Sequence, residues 1–469
     1  MREYVRYQAT ASRDPIWTRV SDDPQREQLS DGNRNRKNTP SEGRYGSTGV
    51  SDGAKKGLTV LSTAIFIAGE MAGSGVLALP RAVVDSGWIG PILVIIFCIN
   101  SAYGGARLGD CWAILEERYP EYRTPVRNPY ATIAYRAVGR KTSLLVSGCI
   151  QFTLFGAGTV YLLLASQMVQ ELLEDFVTRV NFCVWFLVIC IILTPAMWLE
   201  SPKDFSIVGV GALLTTAFAC VFIFSQIVIE GMDNKYPVLH KPHSFHRFFL
   251  AFGTILFSFG GASTFPTIQN DMINKSKFST SVVVGFSVIL MLYFPVALAG
   301  YIVYGDLVSA NITLSINKSY LIICANILMG IHLILAFLIV INPVCQELEE
   351  AFQVPHKYNW KRCLLRSIMM LTMLFIGESI PKFGKILSLV GGSTITLMTF
   401  VFPSFFYMKL CDQKSVEWTE RYIPIHHRIY MWELILIGVL GGAAATYSAI
   451  VDIFGAGSMT KPCYVSWKH

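Results

Sequence analysis

The stretch AGEMAGSGVLALP at residues 68–80 places an acid and three glycines inside a long apolar segment. Glycine weakens a helix and frees its backbone, so Gly69, Gly73 and Gly75 predict an interrupted helix. Within a lipid bilayer an unwound turn survives only against protein or a water-filled cavity, because bare peptide groups are costly in hydrocarbon. The free N–H groups around residues 72–76 would suit a carboxylate. The residue types therefore indicate a binding site for the acidic end of a small molecule.

A second interruption occurs at residues 258–266, where Gly260 and Gly261 are followed by Pro266. Unwound carbonyl groups there, around Phe259 and Gly260, and near Gly69 in the first segment, would suit an ammonium group or a cation. Together the two segments would bind both ends of a zwitterion such as an α-amino acid. Close packing of small residues explains either segment alone. Matched Gly/Pro-interrupted segments in two halves of a chain point instead to the binding site of a transporter.

The chain around these segments has the composition of a membrane protein. Of its 469 residues, 52% are hydrophobic and 15% are charged, against about 25% charged in typical soluble domains. A helical span needs about 20 apolar residues. Eleven such stretches are predicted, at residues 58–84, 88–115, 143–168, 182–199, 205–229, 247–270, 280–304, 320–344, 363–379, 386–409 and 431–453. We predict an all-α polytopic membrane protein and exclude a β-barrel.

The interrupted stretches are the first and the sixth, which divides the chain into two five-span halves. The predicted first repeat covers residues 58–229 and the second covers 247–410, with residues 431–453 as an extra helix. Five is an odd number, so the second repeat must enter the membrane from the opposite side. The pattern therefore predicts a 5+5 inverted repeat.

Charge and sequons predict the orientation in the membrane. Residues 1–57 contain eleven Lys or Arg residues and lack a secretory apolar segment, so we expect a disordered cytosolic tail. Eleven spans then place the C-terminal tail, residues 454–469, outside the cytosol. The glycosylation sequons at Asn311 and Asn317 lie in a connection predicted to be outside, whereas the sequon at Asn274 lies inside. Cys183 and Cys463 lie near the outer side, where they could pair or remain two free thiols.

Four motifs resemble those of the amino acid/auxin permease family, nearest its invertebrate members. GEMAGSGVLALPRAVVDSGWIGP at 69–91 resembles its first span, and GTILFSFGGASTFPTIQNDM at 253–272 its sixth. NPYATIAYRAVGR at 128–140 is similar to its short cytosolic helix, and LFGAGTVYLLLAS at 154–166 to its third span. The resemblance covers about residues 57–455. It implies an eleven-span secondary transporter of the leucine-transporter type that moves amino acids with H⁺ or Na⁺, in a plasma, lysosomal or vesicular membrane.

The resemblance also implies a substrate site. Its predicted residues are Gly69, Glu70, Met71, Ala72, Gly73, Ser74 and Gly75 from the first span, Tyr161 from the third, and Ser258, Phe259, Gly260, Gly261, Ala262, Ser263 and Phe265 from the sixth. Tyr161 would close over the substrate. The small side chains of Ala262 and Ser263 favour neutral amino acids of small or medium size.

Glu70 departs from the family pattern, since many members carry a neutral residue there. A carboxylate inside a membrane is costly and indicates function. Glu70 could carry the coupled proton, contact the substrate amine or a cation, or bind backbone N–H groups. His332 in the eighth span could also titrate, or could simply bond to a neighbouring helix. That span contains no Ser or Thr, which favours H⁺ over Na⁺, although carbonyl groups and Asn326 also offer oxygen ligands.

Other functions fit the sequence less well. An intramembrane enzyme would need a cluster of acids or metal ligands, and a channel would need charged rings or a carbonyl filter; neither pattern is present, and no metal site, cofactor or nucleic-acid partner is predicted. A receptor that senses amino acids without moving them would use the same pocket. Arg107 and Asp110, three residues apart, could form a local pair or a cytosolic gate.

Overall fold

A computed structural model of the chain describes residues 57–469, apart from residues 125, 178–179, 199–204, 234–237, 239–243, 356–358, 456–462 and 464–469. The predicted tail at 1–57 lies outside this part except for its last residue, as does most of the predicted tail at 454–469. The described residues are helical, and their one strand-like pairing is a bridge between Leu58 and Met272. The helices are α1 (Val60–Met71), α2 (Ser74–Ser86), α3 (Gly90–Arg118), α4 (Pro129–Ala137), α5 (Arg140–Leu173), α6 (Phe182–Trp198), α7 (Phe205–Asp233), α8 (Phe245–Ser258), α9 (Phe265–Asn270), α10 (Phe278–Tyr304), α11 (Tyr320–Ala351), α12 (Trp360–Ser379), α13 (Phe383–Val390), α14 (Phe402–Asp412) and α15 (Ile425–Phe454).

The predicted all-α architecture is confirmed, and each of the eleven predicted spans falls on one of these helices or on consecutive helices. By length and composition alone, seven described segments are long and apolar enough to cross a membrane, and α1, α6 and α8 are shorter apolar helices. Eleven crossings therefore stay a prediction. Several helices extend past the apolar stretch that predicted them, because a helix continues into water where its residues are good helix formers. For example, α11 runs on to Ala351.

Short-range signals explain where the helices begin. Thr59 and Ser62 form a reciprocal capping box at the start of α1. The hydroxyl of Ser319 accepts the N–H of Ile322 at the start of α11. Proline in the first turn needs no N–H partner, and it opens both α4 and α9. These caps satisfy backbone groups at the helix ends, or remove the need for a partner there.

The helices of the two predicted repeats pack in corresponding pairs. Helix α2 contacts α8, α3 contacts α10, α5 contacts α11, and α6 contacts α12. Each of these four pairs joins a helix of the first predicted repeat to its counterpart in the second, and the inverted repeat itself stays a prediction. The two interrupted spans consequently meet at the centre of the molecule.

One irregular segment was not predicted. Between α13 and α14 the chain is π-helical over Gly391–Ile395 and Leu397–Val401. The hydroxyl of Thr396 donates to the carbonyl oxygen of Gly391 at 2.7 Å and so satisfies an acceptor inside the wider turn. Short π-helical segments often occur at functional sites. This one lies against the central cavity described below.

Candidate functional site

The first span is broken, as predicted. Helix α1 ends at Met71 and α2 begins at Ser74, with Ala72 in an extended conformation between them. Gly73 has φ +155° and ψ −131°, a backbone conformation that disfavours any residue with a β-carbon. The N–H of Val76 bonds back to the carbonyl oxygen of Gly73 at 3.4 Å. The first two amides of α2 have no partner within the helix, and no other described residue accepts a hydrogen bond from them.

A tyrosine from another helix holds this break in place. The hydroxyl of Tyr293, on α10, accepts the N–H of Gly73 at 2.9 Å and donates to the carbonyl oxygen of Met71 at 3.0 Å. Tyr293 is completely buried. One side chain therefore satisfies a donor on one side of the break and an acceptor on the other. Sequence reasoning missed this residue, because 220 or more positions separate it from its partners.

The sixth span is broken as well. Helix α8 ends at Ser258 and α9 begins at Phe265. Between them the N–H of Gly260 bonds to the carbonyl oxygen of Phe257 at 3.0 Å, and the N–H of Thr264 to that of Gly261 at 3.2 Å. Among the described residues, no N–H donates to the carbonyl groups of Phe259 and Gly260. These two carbonyl groups are available to a cationic ligand.

Both breaks border one cavity. The volume that the centre of a water molecule can occupy inside this cavity is about 50 Å³. Nine predicted site residues line it. They are Glu70, Met71, Ser74 and Gly75 at the first break, Tyr161 on α5, and Gly260, Gly261, Ala262 and Ser263 at the second. A volume of this size holds only a few water molecules. The cavity therefore matches a small ligand.

The other predicted site residues lie behind the cavity wall. Gly69, Ala72, Gly73, Ser258, Phe259 and Phe265 do not line the cavity. A β-carbon on Gly69 would lie 2.6 Å from the carbonyl oxygen of Gly209, so this glycine allows α1 and α7 to approach closely. The hydroxyl of Ser258 donates to the carbonyl oxygen of Thr254 at 3.0 Å. These residues shape the two breaks from behind.

Sequence reasoning also missed the far wall of the cavity. That wall consists of Thr153, Leu154 and Ala157 on α5, Phe257 on α8, Val340 on α11, and Ile395, Met398 and Thr399 around the π-helical segment. Thr153 shares a hydrogen bond of 2.6 Å with Thr394. Most of the others are apolar residues of the kinds that fill any membrane helix. The one signal that could have found them is the run GGSTITLMT at 391–399, which is unusually polar for a span.

Glu70 faces the cavity without a protein partner. Its side chain lies deep in the protein yet keeps some accessible surface, which opens into the cavity. No described residue forms a hydrogen bond or an ion pair with its carboxylate, although Tyr161 lies close enough to interact with its charge. The predicted alternative in which backbone N–H groups bind this acid has no counterpart among the described residues. Glu70 is thus free to meet a mobile ligand.

His332 lies on the opposite side of the first break. A β-carbon on Gly73 would be 3.1 Å from its Nε2 and 4.0 Å from the hydroxyl of Tyr161. The backbone of Ala72 and Ala212 is adjacent to the ring. Both ring nitrogens are buried, and their polar neighbours are these backbone groups. The second candidate for proton coupling therefore adjoins the break but not the cavity.

The remaining candidate polar groups have other roles. Asn326 donates to Glu171 at 2.8 Å near the C-terminal end of α5, so its amide is engaged away from the break. Arg107 and Asp110 form the predicted local pair at 2.9 Å, and Arg107 also lies over the ring of Tyr407. Asp110 also lies close enough to Arg421 to interact with its charge. A role of these two residues in a cytosolic gate stays a prediction.

Predictions for two sequons and one cysteine pair on the predicted outer side fall on described residues. Asn311 is completely buried, whereas Asn317 is exposed. Cys183 and Cys463 form a disulfide with their Cα atoms 5.5 Å apart. Among the described residues, the one grouping of possible metal ligands joins Glu378 to these two cysteines, whose sulfurs are already bonded to each other.

Comparison with known proteins bears on both the fold and the family. The chain is similar to the manganese transporter of Eremococcus coleocola, with a TM-score of 0.57 at 10% identity for one mutant, covering 89% of this chain and 92% of that one. For the same transporter bound to an aromatic bis-isothiourea substituted compound, the TM-score is 0.57 and the coverage is 87% and 90%. Identity this low shows the fold alone. These neighbours have the leucine-transporter-type fold, as predicted.

The sequence relatives are named amino acid transporters. AVT1H of Arabidopsis thaliana is 28% identical over 381 residues, which cover 79% of this chain and 86% of the relative. AVT1J of the same plant is 25% identical over 403 residues, covering 82% and 89%. Residues 56–451 match the family described as "Transmembrane amino acid transporter protein". The chain is therefore an integral membrane transporter rather than an enzyme, and it belongs to the amino acid/auxin permease family.

Proposed function

We propose that the protein moves neutral amino acids across a membrane by alternating access, driven by an H⁺ gradient. The observation that carries this proposal is the carboxylate of Glu70, which pairs with no described residue and lies in a cavity bordered by two broken helices. Family membership supports the substrate class, since the relatives are named amino acid transporters. The two helix breaks supply backbone amides and carbonyl groups that complement the two charged ends of an amino acid.

The breaks can bind the two ends of an amino acid. The substrate carboxylate would lie at the N-terminus of α2, where the amides of Ser74 and Gly75 are open and the helix dipole favours negative charge. The ammonium group would lie between Glu70 and the free carbonyl groups of the second break. Both ends of the zwitterion would then be satisfied away from water, as transport through a membrane requires.

The cavity wall supports a neutral and small side chain. The residues that line it include one acid, Glu70, and no Lys, Arg or His. If Glu70 pairs with the α-ammonium group, a cationic side chain finds no second counter-charge. An anionic side chain would meet the carboxylate of Glu70 itself. The limited volume favours side chains of few atoms.

Proton coupling follows from the free-energy cost of burying the ionised carboxylate of Glu70 without a partner. An ionised carboxylate without a partner is strongly disfavoured inside a membrane protein, so it takes up a proton or a cation. Glu70 would exchange its proton in step with substrate binding, with His332 as a second titratable group beside the break. The helix that carries His332, α11, contains no Ser or Thr hydroxyl that could bind Na⁺.

The disulfide supports the proposed orientation. It joins the start of α6 to the segment after α15, so these two positions lie on the same side of the membrane. That is the arrangement expected if eleven spans begin from a cytosolic N-terminus and end outside the cytosol. Disulfides persist in extracellular or luminal compartments. A plasma membrane and a lysosomal or vesicular membrane both fit.

The test is uptake of a labelled amino-acid mixture into proteoliposomes, with and without an inwardly directed H⁺ or Na⁺ gradient. We expect the H⁺ gradient alone to drive accumulation. Glu70→Gln should abolish the dependence on pH, whereas Glu433→Gln, an exposed acid on α15, should retain it. Unchanged pH dependence in the Glu70 variant would refute its role. Saturable binding without uptake would identify a sensor instead, and accumulation driven by Na⁺ alone would replace the proposed ion.

A further inference from the structure

The buried hydroxyl of Tyr293 does more than fill space in the core. Breaking a helix leaves backbone groups without partners, and such groups are rarely left unpaired inside a protein. At this break the N–H of Gly73 and the carbonyl oxygen of Met71 meet the same phenol oxygen, at 2.9 and 3.0 Å. Both bonds are buried. The phenol oxygen thus links the end of α1 to the start of α2 through two hydrogen bonds.

We propose that Tyr293 is a positioning residue for the carboxylate end of the substrate site. This inference rests on the proposed function, because it assigns a role within the same site. Gly73 immediately precedes the two amides that would bind the carboxylate, and rotation of its backbone would turn those amides away from the cavity. Its N–H is the atom that Tyr293 holds. The hydroxyl therefore sets the direction in which Ser74 and Gly75 present their amides.

The rest of the break does not duplicate this constraint. Among the described residues, Tyr293 is the one side chain that bonds to the N–H of Gly73 or to the carbonyl oxygen of Met71. Helix α2 is held laterally by its packing on α8, where the hydroxyl of Ser258 lies 3.4 Å from the carbonyl oxygen of Gly75. That packing fixes the helix, and the bond from the N–H of Val76 holds the carbonyl group of Gly73, but neither contact holds the N–H of Gly73. Loss of the phenol oxygen should therefore disturb the amides and leave the fold intact.

The substitution Tyr293→Phe removes a single oxygen and keeps the ring. Its matched control is Tyr304→Phe on the same helix, whose hydroxyl bonds to Glu230 at 2.7 Å away from the cavity. For the Tyr293 variant we expect the KM for the transported amino acid, or its Kd in a binding assay, to rise about tenfold or more, as for the loss of bonds that support a charged ligand. The maximal rate should change much less, and the control should match the wild type.

Competing ligands distinguish positioning from general damage. The decarboxylated amine of the transported amino acid carries the ammonium group but has no carboxylate, so its inhibition constant should be the same in the wild type and in Tyr293→Phe. An unchanged KM in that variant, or an equal loss of affinity for amino acid and amine, would overturn the proposal. If Tyr293→Phe does not fold, Gly73→Ala changes the same backbone torsions directly. It should likewise lose affinity for the amino acid and keep its affinity for the amine. A wild-type protein that binds the amino acid without moving it would refute transport but leave this inference open to the same binding test.

Discussion

A buried ion cluster beneath the cavity offers a sharp test of the structure. Glu349 of α11 is 1% exposed and contacts two arginines of α12, Arg366 at 2.6 Å and Arg362 at 3.3 Å. Arg366 also donates to the side chain of Asn342 at 3.2 Å and to the carbonyl oxygen of Met197. The cluster links α12 to α11 and α6 through charged groups that are buried away from water. Removing one member of such a buried cluster leaves the charge of its partner without that compensation.

Glu349→Gln keeps the shape of the side chain and removes its charge. Two buried guanidinium groups then lose the carboxylate that both contact, and breaking a buried pair in this way costs about 3–5 kcal/mol. We expect the lower end, about 3 kcal/mol, because the amide oxygen still accepts a hydrogen bond from Arg366. The neighbouring acid Glu350 pairs with Arg127, but both of these side chains are about one-third exposed. Glu350→Gln should cost under about 1 kcal/mol.

Thermal unfolding of the purified protein in detergent, followed by tryptophan fluorescence, compares the two variants directly. Glu349→Gln should unfold well below the wild type, and Glu350→Gln close to it. Equal midpoints for the two single variants would show that the buried cluster does not contribute as its geometry implies.

Two further predictions concern a close contact and the sequons. Gly69→Ala would place a β-carbon 2.6 Å from the carbonyl oxygen of Gly209 and should destabilise the protein by about 2 kcal/mol, whereas Gly148→Ala, with no atom within 4 Å, should be neutral or stabilising; equal unfolding midpoints would contradict this contact. In eukaryotic cells Asn317→Gln should remove the glycosidase-sensitive band shift and Asn311→Gln should leave it, because Asn311 is fully buried and Asn317 is exposed. Loss of the shift in the Asn311 variant would refute that assignment.

The helices and the two breaks could be predicted because their signals are local. A membrane helix needs a continuous apolar run, and each predicted run coincides with helix in the structure. The first break required a residue that tolerates φ +155°, and Gly73 is visible as such in the sequence. The acid beside it was equally visible, since Glu70 interrupts an apolar segment. Local chemistry of this kind needs no knowledge of the folded chain.

The rest of the site could not be predicted, because its residues are recognisable only by position. Leu154, Ala157 and Val340 line the cavity, yet the same residue types face lipid elsewhere in these helices. Tyr293 bonds to residues 220 and 222 positions away, which no periodicity records. The polar run at 391–399 marks the π-helical segment as unusual, but it does not show which of its side chains reach the cavity. Long-range packing determines all three.

The pairing of buried charges argues where the mobile ligands bind. Three other acids of the membrane helices have partners: Glu349 has its arginines, Glu347 has Gln151 at 2.5 Å, and Glu171 has Asn326. Glu70 has none among the described residues and borders the cavity, whereas the ring of His332 lies beside the backbone of Ala72 and Ala212. A carboxylate that is left bare inside a membrane protein at considerable cost is reserved for partners that come and go. An ammonium group and a proton are the partners that fit.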